Sequence, residues 1–384
     1  MKTEIRTIAE KKRRVGNIIE AIQKNDFFLL LGHKDPDTDC IAALVGFALL
    51  LSKFQKEATI FLSGPVQEQF NYLLAICKYN NISVLYGKKA DLKNISTLVI
   101  LDTPKPDMIA MDESIARLME DPSIRKIELD HHLQLDTQYA GDPGYCLVSE
   151  ASSTCELLGY LALKFAKKLG ITAEEFFSRN IALAVLTGVV GDSQMGKYLK
   201  SSRERRYYKM FIGIFDRLLF EKTAQGSAQG RGNLSSMEAI FDVIQRFSVQ
   251  EKKCYDGIMA LKRKSPSVYY VGLDKAQSAD LFAAYGAELM VNISKAVADT
   301  LAEECGRLGL VAYYDDTALS DFIQFRLRRG ARFSTLDLRE VLSTLAIRNG
   351  GGHPGAVGFR VKKGEIPDLT AYIEALIARI EELI

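Results

Sequence analysis

Asp130-His131-His132 puts one carboxylate and two imidazoles side by side, directly after the short run Lys126 to Leu129. That run reads as a buried strand breaking into a loop. The chain has only four histidines, His33, His131, His132 and His353. Each sits where a strand or a glycine run breaks, and three have aspartates within a few residues. Imidazoles and carboxylates grouped in this way are donors for divalent metals and partners for phosphate. The pair alone would do no more than cap a turn; the aspartates elsewhere change the reading.

Four segments end in aspartate: His33-x-x-x-Asp37-x-Asp39, Asp102, Asp130-His131-His132, and Asp192 within Thr187 to Ser193. They are expected at the C-terminal ends of strands, where a parallel sheet carries its functional loops. Brought together, the carboxylates would repel one another severely unless cations sat among them. Mixed Asp/His donors suit Mn²⁺, with Zn²⁺, Co²⁺ or Fe²⁺ as substitutes and Mg²⁺ less natural beside imidazole. A carboxylate shared by two dications would hold them roughly 3.5–4 Å apart and generate a hydroxide for in-line attack on phosphorus. Each aspartate also has a structural use. Asp37 and Asp39 could make a turn and cap the helix that begins near Cys40; Asp102 could start a turn; Asp192 could end a helix. Only their joint occurrence points to a metal centre.

The elements that would position these groups follow from the apolar pattern. Residues 4–23 are expected to be helical. Strands are expected at 27–32, 58–62, 82–86, 97–102 and 124–130, and helices at 40–54, 65–80, 106–120, 152–169 and 173–191. The strands are continuous apolar runs alternating with helices, which predicts an α/β fold with a parallel sheet covered by helices on both faces. After a basic, aromatic stretch (197–222) and a glycine-rich run (225–233), the pattern restarts. Strands are expected near 267–272, 309–314, 321–327 and 358–361, with helices at 278–304, 336–347 and 367–384. The expected organisation is an N-terminal helix (1–24), a catalytic domain (25–196), a linker or helical insert (197–265) and a smaller α/β domain (266–384), with a cleft between the two domains.

At 384 residues and a formal charge of +2, with 47% apolar residues, the chain reads as a globular protein with two cores and not as a polycation built to coat nucleic acid. Its six cysteines are scattered without a CxxC, which fits buried free thiols in a reducing cytoplasm. The N-terminus has no apolar signal core, and the longest apolar run, Cys40 to Leu51, is too short to span a bilayer. No membrane association is expected.

In this order, His33-x-x-Pro36-Asp37-x-Asp39, Asp102, Asp130-His131-His132 and Gly188-x-x-Gly191-Asp192 resemble the motifs of the DHH phosphoesterase superfamily. Gly350-Gly351-Gly352-His353 resembles the GGGH motif of the DHHA1 domain that follows it. The likeness covers about residues 25–195 and 266–362. It implies that His33, Asp37 and Asp102 hold one metal and that Asp39, Asp102, His131 and Asp192 hold the other. It implies further that His132 faces the phosphate and that Asp130 orients the histidines. Arg326, the amides of Gly350, Gly351 and Gly352, and His353 would grip a substrate phosphate. The fourth motif departs from the usual pattern, reading Asp192-Ser193 in place of Asp-Thr, which leaves substrate detail open.

The branch most similar in layout degrades short oligoribonucleotides and dephosphorylates 3′-phosphoadenosine 5′-phosphate. The expected activity is therefore a Mn²⁺-dependent phosphodiesterase or phosphatase acting on small nucleotides or short single-stranded oligonucleotides. Alternatives are a linear or cyclic dinucleotide phosphodiesterase, a single-strand exonuclease, and a nucleotide-binding regulator without catalysis. The basic and aromatic residues Lys197, Tyr198, Lys200, Arg203, Arg205, Arg206, Tyr207, Tyr208 and Lys209 could guide single strands or simply form a solvated helix face. A homodimer through 197–265 is left open.

Overall fold

A computed structural model describes residues 1–87, 92, 94–133, 137–196, 199, 202–225, 234–315, 320–333, 335–347 and 349–384, without the side chains of residues 203, 204, 225 and 353. It divides into two compact units, Met1–Arg246 and Phe247–Ile384, the division falling inside the 197–265 stretch. Of that stretch, Lys197, Tyr198, Lys200, the Arg203 side chain and the glycine-rich residues 226–233 lie outside the described residues.

The first unit is built on the strands β1 (Phe27–Leu31), β2 (Glu57–Leu62), β3 (Ser83–Tyr86), β4 (Thr97–Leu101), β5 (Arg125–Asp130) and β6 (Cys146–Val148). They form one parallel sheet in the order β3-β2-β1-β4-β5-β6. Both faces are covered, as the unbroken apolar strands require. Phe28 and Leu30 of β1 enter the large core with α1 (Ile8–Lys24), α2 (Thr38–Lys53) and α3 (Asn71–Tyr79). Leu29 and Leu31 point the other way, into a smaller core with Ile115 of α4 (Glu113–Glu120).

Several boundaries differ from the sequence reading. The first helix starts at Ile8 and not at residue 4, because the Thr7 side chain accepts a hydrogen bond from the Glu10 amide and caps it there. The helix expected from Pro65 becomes a 3₁₀ turn, Glu68–Phe70, leading into α3. That expected at 106–120 becomes a 3₁₀ turn at Pro106–Met108 and then α4, capped by Asp112. Strand β6 was not expected at all; three residues are too few to show a period.

Helices α5 (Thr154–Leu169), α6 (Ala173–Phe176), α7 (Arg179–Ser193), α8 (Ser202–Gln225) and α9 (Met237–Ile244) complete this unit. Helix α7 is buried almost all round, from Ile181 to Gly191. Asp192, directly after the helix expected at 173–191, sits in the last turn of this core helix. Gly188 allows the close approach of α7 to its neighbours. A methyl group there would lie 2.3 Å from Cys155 Sγ on α5 and 2.4 Å from Asp39 Oδ1 on α2.

The second unit begins with α10 (Val249–Met259). Its mixed sheet runs β11-β12-β10-β9-β8-β7. The strands are β7 (Arg263–Lys264), β8 (Val268–Gly272), β9 (Leu308–Tyr314), β10 (Phe322–Arg329), β11 (Gly350–His353) and β12 (Ala356–Lys362). Only β8 and β9 pair in parallel among these. One face packs on α11 (Lys275–Cys305) through Val271, Val311 and Tyr313; the other packs on α12 (Leu338–Thr344) and α13 (Leu369–Glu381) through Phe325, Leu327 and Phe359. The glycine run 350–352, where no strand was expected, is a strand, paired residue for residue with β12. Among the described residues, no helix is long and apolar enough to cross a membrane.

Gly188→Ala is expected to lower stability by about 1–3 kcal/mol through overpacking and to shift the urea midpoint downward; an unchanged midpoint would show that the helices part without cost.

Candidate metal centre

The strand order of the first sheet decides where its functional loops converge. From β1 the chain winds outward through β2 to β3; it then returns to β4, beside β1, and winds the other way. The crevice at the C-terminal ends of β1 and β4 is thus a topological switch point, the usual ligand position in an open parallel sheet. Leu31 pairs with Ile100, so His33 and Asp102 leave the sheet next to each other. Leu101 pairs with Leu129, which brings Asp130 and His131 alongside.

Each expected side chain can now be placed. His33 Nε2 lies 3.9 Å from Asp102 Oδ2 and 3.8 Å from Asp37 Oδ1. Asp102 is buried and has a left-handed backbone, φ 51°, which turns its carboxylate into the crevice at some strain. Its Oδ1 accepts a hydrogen bond from Thr154 Oγ1 at 2.9 Å and lies 3.5 Å from His131 Nε2. His131 Nε2 is also 3.5 Å from Asp192 Oδ2. Asp39, in the first turn of α2, is buried, and its Oδ1 accepts from the Cys155 amide at 3.0 Å. Asp37 is exposed and is the N-cap of α2, its Oδ1 accepting from the amides of Asp39 and Cys40.

Two bonds set the orientation of the adjacent histidines. The His131 Nδ1 faces the Ala151 carbonyl at 3.3 Å, so the proton belongs there and the Nε2 lone pair points at the aspartates. His132 Nδ1 donates to Asp130 Oδ1 at 2.8 Å, which leaves its Nε2 free to meet a ligand. Asp130 is itself buried. Burial opposes its ionisation, but the His132 hydrogen bond and the nearby Lys2 ammonium outweigh that, and its pKa is held below the ordinary range.

Two of these carboxylates, Asp39 and Asp102, are buried. Among the described residues neither Asp39 nor Asp102 has a lysine or arginine partner; the groups around them are other aspartates and neutral-capable imidazoles. Burial, with Asp192 and Asp37 nearby, pushes Asp39 up to about 8. Burial, with Asp39 and Asp37, drives Asp102 well above the usual carboxylate range. Donor atoms of Asp39, His131 and Asp192 lie within 4.8 Å of one another, as do those of Asp102, His131 and His132, and those of His33, Cys40 and Asp102. This donor set fits divalent cations: bound metal would supply the charge that the buried carboxylates lack.

Asp37 falls in none of these groups, and Cys40 stands where it was expected. Burial and the neighbouring Asp102 and Asp37 push the Cys40 thiol well above its ordinary value, so in the metal-free protein it keeps its proton. Sequence reasoning did not find Thr154, whose hydroxyl holds Asp102, nor Lys2. A hydroxyl at a helix start carries no signal beyond that of a cap.

The second unit holds the other expected residues. Arg326 pairs with Gly358, and Gly358 with Gly351, so all three occupy one row across the sheet. A methyl group on Gly358 would meet Arg326 Nη1 at 2.6 Å, so the guanidinium lies over that glycine. Arg326 Nε is buried without a hydrogen-bond partner. Gly351 has open space where a side chain would be, whereas a side chain at Gly350 would meet Phe359 and one at Gly352 would meet the Ala356 carbonyl. The glycines thus serve strand packing as well as access. The His353 side chain lies outside the described residues.

Residues 28–189 match the model described as "DHH family, N-terminal domain". That match lies within the first unit and covers less than half of the chain. Among curated proteins, the chain is 27% identical over 195 residues to the cyclic-di-AMP phosphodiesterase GdpP of Bacillus subtilis (strain 168), covering 48% of this chain and 27% of that protein. It is 28% identical over 182 residues to the cyclic-di-AMP phosphodiesterase PdeA of Listeria monocytogenes, covering 46% and 26%. The match therefore spans about a quarter of each of these relatives. Among solved structures, an exopolyphosphatase-related protein from Bacteroides fragilis superposes with a TM-score of 0.61 at 17% identity, over 97% of each chain. That likeness extends the shared fold to both units. These relatives do not single out the oligoribonuclease and 3′-phosphoadenosine 5′-phosphate branch.

The raised pKa of Asp39 fixes a pH dependence. In the metal-free protein Asp39 keeps a proton that the unfolded chain would release near pH 4, so its contribution to stability is lost as pH rises toward about 8. A divalent cation binds the deprotonated form and offsets that loss. The Tm gain on adding Mn²⁺ is expected to be larger at pH 8.5 than at pH 6; an equal or opposite pH trend would contradict the assignment.

Proposed function

We propose that the chain is a divalent-metal phosphoesterase that hydrolyses phosphodiester bonds of small nucleotides. The observation that carries this reading is the convergence of Asp39, Asp102, His131 and Asp192 at the switch point of the parallel sheet, in the region that matches the DHH-family model. His33, Asp37 and Asp102 would hold one ion, and Asp39, Asp102, His131 and Asp192 the other, with Asp102 shared. The mixed Asp/His set favours Mn²⁺. When bound, such cations would supply Lewis acidity and an acidified water to the phosphoester.

The protein's own residues have separate tasks. Thr154 fixes one Asp102 oxygen by its hydroxyl. The Ala151 carbonyl keeps the His131 proton on Nδ1. Asp130 keeps the His132 proton on Nδ1, so that Nε2 can bond a phosphate oxygen or exchange a proton with the leaving group. In the second unit, the unpartnered Arg326 Nε and the open face of Gly351 suit a phosphate group, with Gly350, Gly352 and His353 beside them.

Two substrate readings stand side by side. The two-domain layout favours short oligoribonucleotides and 3′-phosphoadenosine 5′-phosphate, with linear dinucleotides as an alternative. The names of the curated relatives favour cyclic di-AMP. A panel of these compounds with Mn²⁺, read by product chromatography, separates them. Turnover of at least one is expected, and Asp102→Ala should lower kcat on the order of a thousandfold, about 4 kcal/mol of transition-state stabilisation. No turnover by the wild type, or full activity in Asp102→Ala, would refute the reading.

A further inference from the structure

Lys2 is 1% exposed, an unusual place for a lysine near a chain end. A buried ammonium is costly unless all its protons find acceptors. Here three oxygens surround Nζ at 2.6 Å each: the Thr103 carbonyl, Asp130 Oδ2 and Glu128 Oε1. Glu128 is off the angle of a hydrogen bond and acts as an ion-pair partner, while its Oε2 accepts from the amides of Ala140 and Gly141. The backbone around Lys2 is tied down too. Its amide donates to Thr137 Oγ1 at 3.1 Å, the Thr3 amide donates to the Tyr139 hydroxyl, and that hydroxyl donates to the Thr3 carbonyl. The extended segment ahead of α1 therefore lies against the chain that follows the two histidines.

The Asp130 carboxylate is divided between two partners. Oδ2 takes the Lys2 ammonium and Oδ1 takes the His132 Nδ1 proton. With one oxygen anchored, the carboxylate cannot rotate, and the imidazole hydrogen-bonded to the other oxygen is held with it. Thr103, the second anchor, directly follows Asp102. One ammonium thus braces the chain at two of the strand ends that form the site.

We infer that Lys2 is a positioning residue, which holds Asp130 so that His132 keeps its Nδ1–H tautomer and presents Nε2 to substrate. The kinetic part of this inference rests on the phosphoesterase reading; the tautomer part does not. Removing the ammonium while keeping the length, as in Lys2→Met, would leave Asp130 beside Glu128 with no cation between them. Asp130 would then be free to turn, and His132 would sample both tautomers.

The test has two arms on the whole 384-residue chain. Long-range ¹H–¹⁵N spectra with Mg²⁺ present are expected to show His132 as the Nδ1–H tautomer in the wild type and as a mixture in Lys2→Met. Turnover in Mn²⁺ is expected to fall about 10- to 100-fold in kcat with little change in KM, the range typical of residues that orient a site group. On a His132→Ala background the same substitution should cost less than about twofold, since nothing remains to be positioned. A lysine that only glued the core would cost as much on either background. Should Lys2→Met not fold, Lys2→Met combined with Glu128→Gln removes one charge of each sign and carries the same measurements. An unchanged His132 tautomer overturns the inference whatever the kinetics. A wild type that hydrolyses no nucleotide overturns the phosphoesterase reading, and the spectra then still decide the role of Lys2.

Discussion

Two carboxylates, Asp39 and Asp102, are withdrawn from water at one point with no lysine or arginine among the described residues to answer them. The rest of the first unit is arranged around that conflict. Burying an ionised carboxylate costs several kcal/mol in a low-dielectric site, so an isolated chain keeps such groups protonated. A cation that enters replaces the protons. The crowding of aspartates is therefore a standing demand for positive charge, and it is met by donors that a divalent ion prefers.

The fold supplies the demand by topology. The reversal of strand order at β1 and β4 leaves a crevice, and the sheet registers bring His33, Asp102 and Asp130 to its rim. Asp39 arrives from the first turn of α2 and Asp192 from the last turn of α7; the bare backbone of Gly188 allows these helices to come close enough. Around the rim, neighbouring groups fix the orientation of these side chains. Thr154 holds Asp102, the Ala151 carbonyl holds His131, and Asp130 holds His132. Lys2 stands behind Asp130 as a buried ammonium.

Much of this is legible in the sequence, and for a physical reason. Apolar strands that end in Asp or His announce themselves locally, so the order of residues alone marks Asp102, Asp130, His131 and His132 as strand-end groups. The parallel α/β class follows from the same runs. What the sequence hides is whatever depends on distant parts of the chain. Strand order has no local signature, so convergence at the switch point is an inference from donor types. The helix expected at 173–191 ends at Ser193, so Asp192, expected just past its end, lies in its last turn. Lys2 looks like any charged residue near a chain end, since its partners Glu128 and Asp130 lie more than a hundred positions away. The glycine run at 350–352 carries no strand pattern, yet its pairing with β12 makes it a strand.

The most direct test of the central claim is anomalous X-ray scattering from crystals grown with Mn²⁺. The account predicts two peaks close together, one touching Asp39, His131 and Asp192, the other touching His33, with Asp102 reaching both. A map with no peak against these side chains, at Mn²⁺ concentrations that support any activity, would contradict it.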